Sequence, residues 1–410
     1  MSLASDLTRE LIDARARTLQ VVRDLSDAQL MGPRLSTVNP LRWEIGHLAW
    51  FQERWILRRR GAPSLLPGAD ELYDSATVPH DTRWDLPLPT RAATLDYMDR
   101  VLRRAITQVH AVERVGDRDA YFLRLATFHE DMHAEAFLMT RQTLAYPAPN
   151  LGPSGIAPGG GPHPGDASVP GGTYETGATR DLPFVFDNEK WSHPVTLRPF
   201  QIAKAPVTNA QFGAFVDAGG YRTRRHWSDE GWAWRTAAEA EHPVHWYRSG
   251  SAWRGRRFDA TAPLEPNHPM MHVSWHEAEA FCRWAGRRLP TEEEWEVAAA
   301  GIDPATSERA NLDGRLGGCA DVGAFPAGDS ASGCRQMFGN AWEWTASVFG
   351  PYPGFVIDPY KEYSEPWFGT HRVLRGGSWA TRSRLLRRTW RNFYTPDRRD
   401  VFAGFRTCAI

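Results

Sequence analysis

One segment rich in proline and glycine divides this chain into two parts of different composition. It reads PAPNLGPSGIAPGGGPHPGDASVPGG and begins at Pro147. Proline lacks a backbone donor and glycine costs conformational entropy in helices and strands, so this composition predicts a linker. We place the linker at residues 147–170, between a domain over 1–146 and a second domain over 171–410. A chain of 410 residues is also long for a single hydrophobic core.

The first domain has the periodicity of a helical bundle. Apolar side chains recur at helical spacing along its first stretch: Leu7, Leu11, Ala14, Val21 and Leu25. Further amphipathic stretches lie near residues 40–60, 90–114 and 119–145. Four such helices with modest connections predict a four-helix bundle.

The second domain is expected to be an irregular α+β domain. It is rich in Trp and Gly, its segments are short, and turn signals are frequent. Two helices are nevertheless predicted in it. The stretch SWHEAEAFCRWAG offers Ser274 as N-cap with Glu277 three residues on, and TEEEWEVAAAG repeats this capping box with Thr291 and Glu294.

The charge balance excludes binding driven by a strong net field. The chain has 48 Lys and Arg residues against 49 Asp and Glu residues. We therefore do not expect nucleic acid or an acidic membrane as a partner, and we expect small molecules instead. No apolar run approaches the roughly 20 residues that span a bilayer, and the N-terminus is charged, so we expect a cytoplasmic protein. The four cysteines lack C-x-x-C spacing and are interpreted as ordinary thiols: Cys282, Cys319, Cys334 and Cys408.

Three histidines of the first domain are candidate metal ligands. In FHEDMHAEAF, His129 and His133 are one helical turn apart and share a helix face. His47 lies in the apolar stretch RWEIGHLAWFQERW, where an imidazole is costly to bury without a partner. A bundle brings side chains of facing helices together, and three imidazoles leave open positions on Fe(II), Zn or Cu. Glu130 and Asp131 are candidates to orient the rings.

Two other interpretations of the histidines stay open. His129 and His133 fit two structural histidines on a helix if no third ligand joins them. The letters HEDMH also match the zinc-protease pattern H-E-x-x-H, in which Glu130 would be the general base. That pattern needs a third ligand downstream, and the next histidine is His163 in the predicted linker. The protease interpretation is therefore disfavoured.

Motifs of both domains resemble those of one enzyme family. GHLAWFQERW and HEDMHAEAF resemble the DinB-like helical bundle of the ergothioneine-type sulfoxide synthases, known as EgtB. RRLPTEEEWEVAAAG, MFGNAWEWTAS, VLRGGSWATR and RNFYTPDRRDVFAGFR resemble their formylglycine-generating-enzyme-like domain, a variant of the C-type lectin fold. The resemblance implies a nonheme Fe(II) oxidoreductase that uses oxygen. Such enzymes attach a thiol or a selenol to carbon 2 of the imidazole of hercynine, the trimethylated betaine of histidine.

The resemblance also implies roles for single residues. The family's three iron ligands correspond to His47, His129 and His133, the trio that helix geometry also suggests. An Asn-Trp pair that helps to hold hercynine corresponds to Asn392 and Phe393. An aromatic ring at position 393 suits a quaternary ammonium through cation–π attraction.

Other implied positions concern the second substrate. Arg83 and Arg398 correspond to arginines expected to bind it. Met132 replaces a Gln that contacts substrate, and Tyr394 replaces an Asp that contacts γ-glutamylcysteine. We therefore expect a pocket for the second substrate that is more aromatic and less acidic than in the ergothioneine-type enzymes.

The family's proton-donating tyrosine has no direct match in this chain. The resemblance implies that Phe355 stands at or near that position, with Tyr352 and Tyr360 as neighbours. The iron ligands lie in one domain and the substrate contacts in the other, so we expect both sets to line one pocket.

The changed pocket favours a selenoneine synthase, the SenA branch of the family, which attaches selenium from a selenosugar to hercynine. The alternative is an ergothioneine-type sulfoxide synthase acting on cysteine or γ-glutamylcysteine. Formylglycine generation is disfavoured because the chain lacks a cysteine pair near RRTWRNFYTPDRR. A lectin-like binding protein and a metal-dependent thiol S-transferase are alternatives of other classes.

Overall fold

The computed structural model describes residues 2–302 and 308–410 of the chain. The chain divides into two compact units, Met1–Leu151 and Gly152–Ile410, which we call the first and second units. In the part of the chain that the structure describes, no helix combines the length and the apolar character required to cross a bilayer.

The first unit is a helical bundle, as predicted. Its helices are α1 (Leu3–Val22), α2 (Asp27–Met31), α3 (Leu41–Gln52), α4 (Ala69–Tyr73), α5 (Arg91–His110) and α6 (Asp117–Thr143). A π-helical turn, Glu53–Leu57, continues α3. The four long helices match the four predicted amphipathic stretches, and the two short ones were not predicted.

The stripe predicted along α1 is buried in the bundle. Leu7, Leu11, Ala14 and Val21 of α1 are buried, as is Leu25 beyond its end. These side chains therefore contribute to the core, as their helical spacing predicts.

A buried ion pair joins α1 to α6. The Nε of Arg15 donates to Glu130 at 2.7 Å, and its Nη1 donates to the carbonyl oxygen of Met98 at 2.6 Å. Glu130 is therefore paired with an arginine, and the expectation that it orients a histidine ring is wrong. This pairing also removes the general base that the zinc-protease interpretation requires.

The second unit combines short strands with four helices, as far as the structure describes it. The strands are β1 (Asp166–Val169), β2 (Gly172–Thr176), β3 (His193–Leu197), β4 (Phe200–Ala203), β5 (Trp246–Ser249), β6 (Ala252–Arg257), β7 (Ala260–Pro263), β8 (Arg287–Arg288), β9 (Trp342–Val348), β10 (Arg372–Arg375), β11 (Asn392–Tyr394), β12 (Ala403–Gly404) and β13 (Cys408–Ala409). The helices are α7 (Asn209–Asp217), α8 (Asp229–Ala237), α9 (Trp275–Trp284) and α10 (Glu292–Ala298). Both predicted capping boxes are present, at Ser274 and at Thr291.

The strands form small sheets, which explains why the sequence lacks long β patterns. Two of the sheets have four strands, in the orders β1-β4-β13-β8 and β11-β10-β9-β12. The remaining described strands form a β2-β3 pair and a β5-β6-β7 meander. In the second four-stranded sheet, β10 is antiparallel to β9 and β11, whereas β12 is parallel to β9.

The end of the predicted linker differs from the expectation. Residues 166–169 form β1, which pairs antiparallel with β4 from Asp166 opposite Ala203 to Val169 opposite Phe200. The side chains of Ala167 and Val169 are buried in the core of the second unit. Proline and glycine are dense only up to residue 165, so the last residues of the segment are free to pair.

Candidate metal centre

Helix α3 presents His47 to the interior of the first unit. The ring is 2% exposed, and its Nδ1 donates to the backbone carbonyl of Tyr73 at 2.8 Å. This hydrogen bond keeps the proton on Nδ1 and leaves the lone pair of Nε2 available. The same short helix α4 also accepts a hydrogen bond from the indole of Trp43, through the carbonyl oxygen of Leu72 at 2.7 Å. Helix α4 therefore fixes the face of α3 that carries His47.

Helix α6 presents the other two histidines on one face. His129 is buried, whereas the side chain of His133 is 22% exposed. The ring of Phe51 stacks on His129 with ring centroids 3.6 Å apart. Spacing of four residues brings the two imidazoles to a centroid separation of 4.5 Å.

The three rings converge on one point. Nε2 of His47 lies 3.4 Å from Nε2 of His129, and one candidate ligand atom from each of the three residues lies within 4.8 Å of the others. Nitrogens bound to one ion at about 2.1 Å are separated by roughly 3.0–3.4 Å. The nitrogens of His47 and His129 therefore have the spacing of two ligands of one metal ion, and the third imidazole lies within 4.8 Å of both. Within the described residues, this is the one group of three or more potential ligands so arranged.

Burial keeps the two interior rings neutral. Desolvation lowers the pKa of His47 well below its usual value, and the neighbouring His133 lowers it further. Desolvation likewise lowers the pKa of His129, with His133 and His47 adding to the effect. Neutral imidazoles are the form that binds a metal, so the environment prepares the rings for coordination.

Glu44 is a residue of the site that the sequence analysis missed. It is buried on α3, and its Oε1 lies 3.6 Å from Nδ1 of His133. This separation is longer than a hydrogen bond but allows direct electrostatic attraction. Glu44 precedes His47 by three residues, so helical spacing alone could have indicated that both face the same side.

Arg83 and Met132 also lie in the first unit. Met132 is half-buried on α6, next to His133. Arg83 is buried, and its guanidinium lies 4.0 Å from the centre of the Trp43 ring. Trp43 in turn stacks on His47 at 4.9 Å. The structure therefore places Arg83 one aromatic ring away from His47.

The predicted hercynine contacts, Asn392 and Phe393, lie on strand β11 of the second unit, together with Tyr394, which is predicted to contact the second substrate. Asn392, Phe393 and Tyr394 are all half-buried. The ring of Phe393 stacks on Phe349 at 4.0 Å, so part of its surface is already covered. The guanidinium of Arg398 lies 5.0 Å from the centre of the Tyr394 ring.

The predicted neighbours of the proton-donating position differ in environment. Tyr352 is buried, which raises the pKa of its hydroxyl, and the nearby carboxylate of Glu292, 3.4 Å away, raises it further. Phe355 is half-buried and packs edge-on against Phe368 at 5.2 Å. Tyr360 is half-buried near Tyr363, at a ring separation of 6.0 Å. The roles of these three residues, and one pocket shared with the trio, stay predictions.

Comparison with known proteins identifies the family. The model of the sulfatase-modifying factor enzyme 1-like domain matches residues 158–409, and that of the DinB superfamily matches residues 10–137. A hercynine oxygenase of Mycolicibacterium thermoresistibile is 41% identical over 430 residues, covering 98% of this chain and 94% of that protein. The chain belongs to the hercynine oxygenase family. A hercynine oxygenase of Mycobacterium tuberculosis is 40% identical, and the match covers 99% of this chain and 99% of that protein.

Membership of the hercynine oxygenase family confirms several predictions. The two-domain fold class, the resemblance to the ergothioneine-type enzymes and the oxidoreductase class are confirmed. A formylglycine-generating enzyme of Streptomyces coelicolor is 35% identical but matches only 60% of this chain. The family uses iron, and the histidine trio of this chain fits such an ion. The selenoneine branch receives no support from these relatives.

Proposed function

We propose that this protein is a hercynine oxygenase whose Fe(II) is held by His47, His129 and His133. The convergence of the three histidines carries the proposal, with ligand atoms within 4.8 Å of one another and the nitrogens of His47 and His129 3.4 Å apart, together with 41% identity to a hercynine oxygenase along nearly the whole chain. When bound, the iron would supply the redox chemistry with dioxygen that amino-acid side chains lack.

The reaction balances with one thiol, one hercynine and one dioxygen. The C–H bond at carbon 2 of the imidazole and the S–H bond break, and a C–S bond forms. One oxygen atom goes to sulfur as a sulfoxide, and the other leaves as water with the two hydrogens. Dioxygen is the oxidant, so no further co-reactant is needed.

Neighbouring residues hold the rings of the trio in fixed orientations. The carbonyl of Tyr73 holds the ring of His47, so that its Nε2 lone pair keeps one direction. The stacked ring of Phe51 limits rotation of His129. His133 is the most exposed of the three, with 22% of its side chain accessible to solvent. Fixed ligands contribute chiefly by holding the reacting groups in a productive arrangement.

The chain's own residues for hercynine are proposed to be Asn392 and Phe393. An aromatic ring attracts a quaternary ammonium through its negative face, and an amide can accept or donate a hydrogen bond to a carboxylate or imidazole. Among the tyrosines near position 355, Tyr360 is favoured over Tyr352 as proton donor, because Tyr352 is buried with its hydroxyl near Glu292.

A thiol such as cysteine or γ-glutamylcysteine is the proposed second substrate, since the hercynine oxygenase relatives favour the sulfur reaction. A selenosugar is the second candidate, and one observation favours it. Arg398 donates to both oxygens of Asp400, at 2.6 and 2.5 Å, and lies over Tyr394. An arginine committed to an internal carboxylate is less available for the carboxylate of an amino acid.

The deciding experiment offers the donors to one enzyme preparation. Protein loaded anaerobically with Fe(II) is mixed with hercynine and with cysteine, γ-glutamylcysteine or a selenosugar, then exposed to oxygen. Mass spectrometry identifies the imidazole product, and an oxygen electrode follows consumption. We expect a sulfoxide from a thiol and none from the His129→Ala variant. Oxygen uptake with no imidazole product from any donor would refute the proposed function.

The donor pocket is tested at Tyr394. Changing Tyr394→Asp should raise kcat/KM for γ-glutamylcysteine by roughly 10-fold, the scale of one polar contact. Tyr394→Phe is the matched control, because it keeps the ring and adds no charge. If wild-type enzyme instead prefers the selenosugar by kcat/KM, and Tyr394→Asp weakens that preference, the selenium reaction is the correct one.

A further inference from the structure

Arg83 is buried and is held by contacts within the first unit. The residue is 8% exposed. Its Nη1 donates to the side-chain oxygen of Asn39 at 2.8 Å, and its Nη2 donates to the carbonyl oxygen of Val78 at 3.2 Å. One face of the group covers Trp43 at 4.0 Å. Two of these contacts, with Trp43 and with Asn39, connect Arg83 to the histidine trio.

The first connection runs through stacked rings. Trp43 contacts both the guanidinium of Arg83 and the imidazole of His47, whose plane is inclined by only 10° to the indole. The indole nitrogen donates to Leu72, so the ring is fixed along its edge as well. A displacement of Arg83 therefore frees one face of the ring against which His47 packs.

The second connection runs through two hydrogen bonds to Glu44 on α3, which lies near His133 of α6. Asn39 accepts from Arg83 through its oxygen and donates through its Nδ2 to Oε1 of Glu44 at 3.0 Å. The same Oε1 lies 3.6 Å from Nδ1 of His133. Arg83 fixes which end of the Asn39 amide faces Glu44, because an arginine can only donate.

Two buried polar atoms at the end of this connection lack hydrogen bonds. Oε2 of Glu44 and Nδ1 of His133 have no partner within hydrogen-bond range in the described structure. Buried polar atoms are rarely left so. If Nε2 of His133 takes a metal, its proton must stay on Nδ1, and a histidine ligand ordinarily donates that proton to a carboxylate or carbonyl. Glu44 is the carboxylate in place.

We propose that Arg83 is a positioning residue of the histidine trio, acting on His47 through Trp43 and on His133 through Asn39 and Glu44. Arg83 then sets the direction of two metal ligands. The inference rests on the metal site of the proposed function.

The test uses the full-length protein freed of metal, with Co(II) as the probe. Co(II) reports its ligand arrangement through its visible absorption, independently of turnover. Arg83→Met should weaken Co(II) binding by 10- to 100-fold and shift that absorption. The Co(II) affinity of Arg83→Lys should lie between those of the wild type and Arg83→Met. An ammonium group cannot bind both oxygen acceptors and cover the Trp43 ring as the planar guanidinium does. Asn39→Ala, which keeps Arg83, serves if the arginine variants fail to fold.

Arg34→Met is the matched control. Arg34 also covers a tryptophan, Trp84 at 5.7 Å, and pairs with Asp85, but it is exposed and forms no contact of this kind with the trio. The Arg34→Met variant should bind Co(II) with the affinity of the wild-type protein. Coupling is checked with Glu44→Gln: the loss in the double variant with Arg83→Met should be smaller than the product of the single losses.

The outcomes separate the inference from the proposed function. A wild-type protein that binds no Co(II) overturns both. A wild-type protein that binds Co(II), with unchanged affinity and absorption in Arg83→Met and Asn39→Ala, overturns the inference alone. The same holds if Arg83→Met only raises KM for the second substrate, since that result marks a carboxylate-binding residue.

Discussion

Gly46 on α3 offers the sharpest test of how the metal site is built. A Cβ at this position would lie 2.3 Å from Cζ, 2.4 Å from Cε1 and 2.5 Å from the hydroxyl oxygen of Tyr73. These separations are more than about 1 Å short of normal van der Waals contact. Tyr73 is fully buried, so its ring cannot simply swing away. Gly46→Ala must therefore push Tyr73 off α3.

Two effects on stability oppose each other in Gly46→Ala. Overpacking of a core costs about 1–3 kcal/mol, whereas Ala in a helix interior is favoured over Gly by about 1 kcal/mol. The free energy of unfolding should therefore fall by up to about 2 kcal/mol. The backbone carbonyl of Tyr73 moves with its ring, and His47 loses the acceptor at 2.8 Å. Loss of such a partner lowers metal affinity by about 10- to 100-fold.

The assay combines Co(II) titration with denaturant unfolding of the same variants. Gly116→Ala is the matched control, because a Cβ there meets nothing within 4 Å. Replacing Tyr73 by Leu in the Gly46→Ala background should restore much of the affinity, since the accepting carbonyl belongs to the backbone. Gly46→Ala with wild-type affinity and stability would refute this account of the site.

Three further predictions concern other parts of the molecule. His133→Ala should abolish stoichiometric Co(II) binding measured by titration and metal analysis, because two imidazoles hold an ion far less tightly than three. Arg15→Met should lower the free energy of unfolding by about 3–5 kcal/mol in denaturant titrations, since Glu130 is left buried and unpaired, and adding Glu130→Met should recover most of this loss. Burial lowers the pKa of His272 from 6.5 to about 4. Between these pH values the unfolded chain binds a proton that the folded chain does not bind. The contribution of His272 to the free energy of unfolding should therefore be full above pH 6.5 and fall by about 3 kcal/mol towards pH 4. His272→Asn, which suits the positive φ of 61° at this position, should remove that part of the pH dependence in unfolding curves measured at pH 7 and pH 5.

Helical periodicity explains why the ligands themselves could be predicted from the sequence. His129 and His133 are separated by four residues, and this spacing fixes a common face in any α-helix. His47 is 82 residues from His129, yet an imidazole in so apolar a helix points inward, and the bundle brings inward side chains together. These two local arguments are independent of loops and caps.

Local pattern was less informative in the second unit. The capping boxes at Ser274 and Thr291 were predictable because every residue of the motif lies within four positions. Strand β1 was not, because its pairing depends on β4, more than thirty residues away, and its short alternation is obscured by neighbouring proline and glycine. Short strands in small sheets depend on partners that no sequence window contains.

The contacts that orient the ligands were missed for a different physical reason. His47 and Trp43 donate to the carbonyls of Tyr73 and Leu72, and a backbone carbonyl is supplied by every residue type, so no letter marks it. What the sequence does record is the space that this contact requires. Gly46 allows the ring of Tyr73 to lie against α3, although Gly costs about 1 kcal/mol in a helix interior. A glycine next to a histidine in an apolar helix therefore indicates that another segment packs closely there, and that its backbone is available to hold the ring.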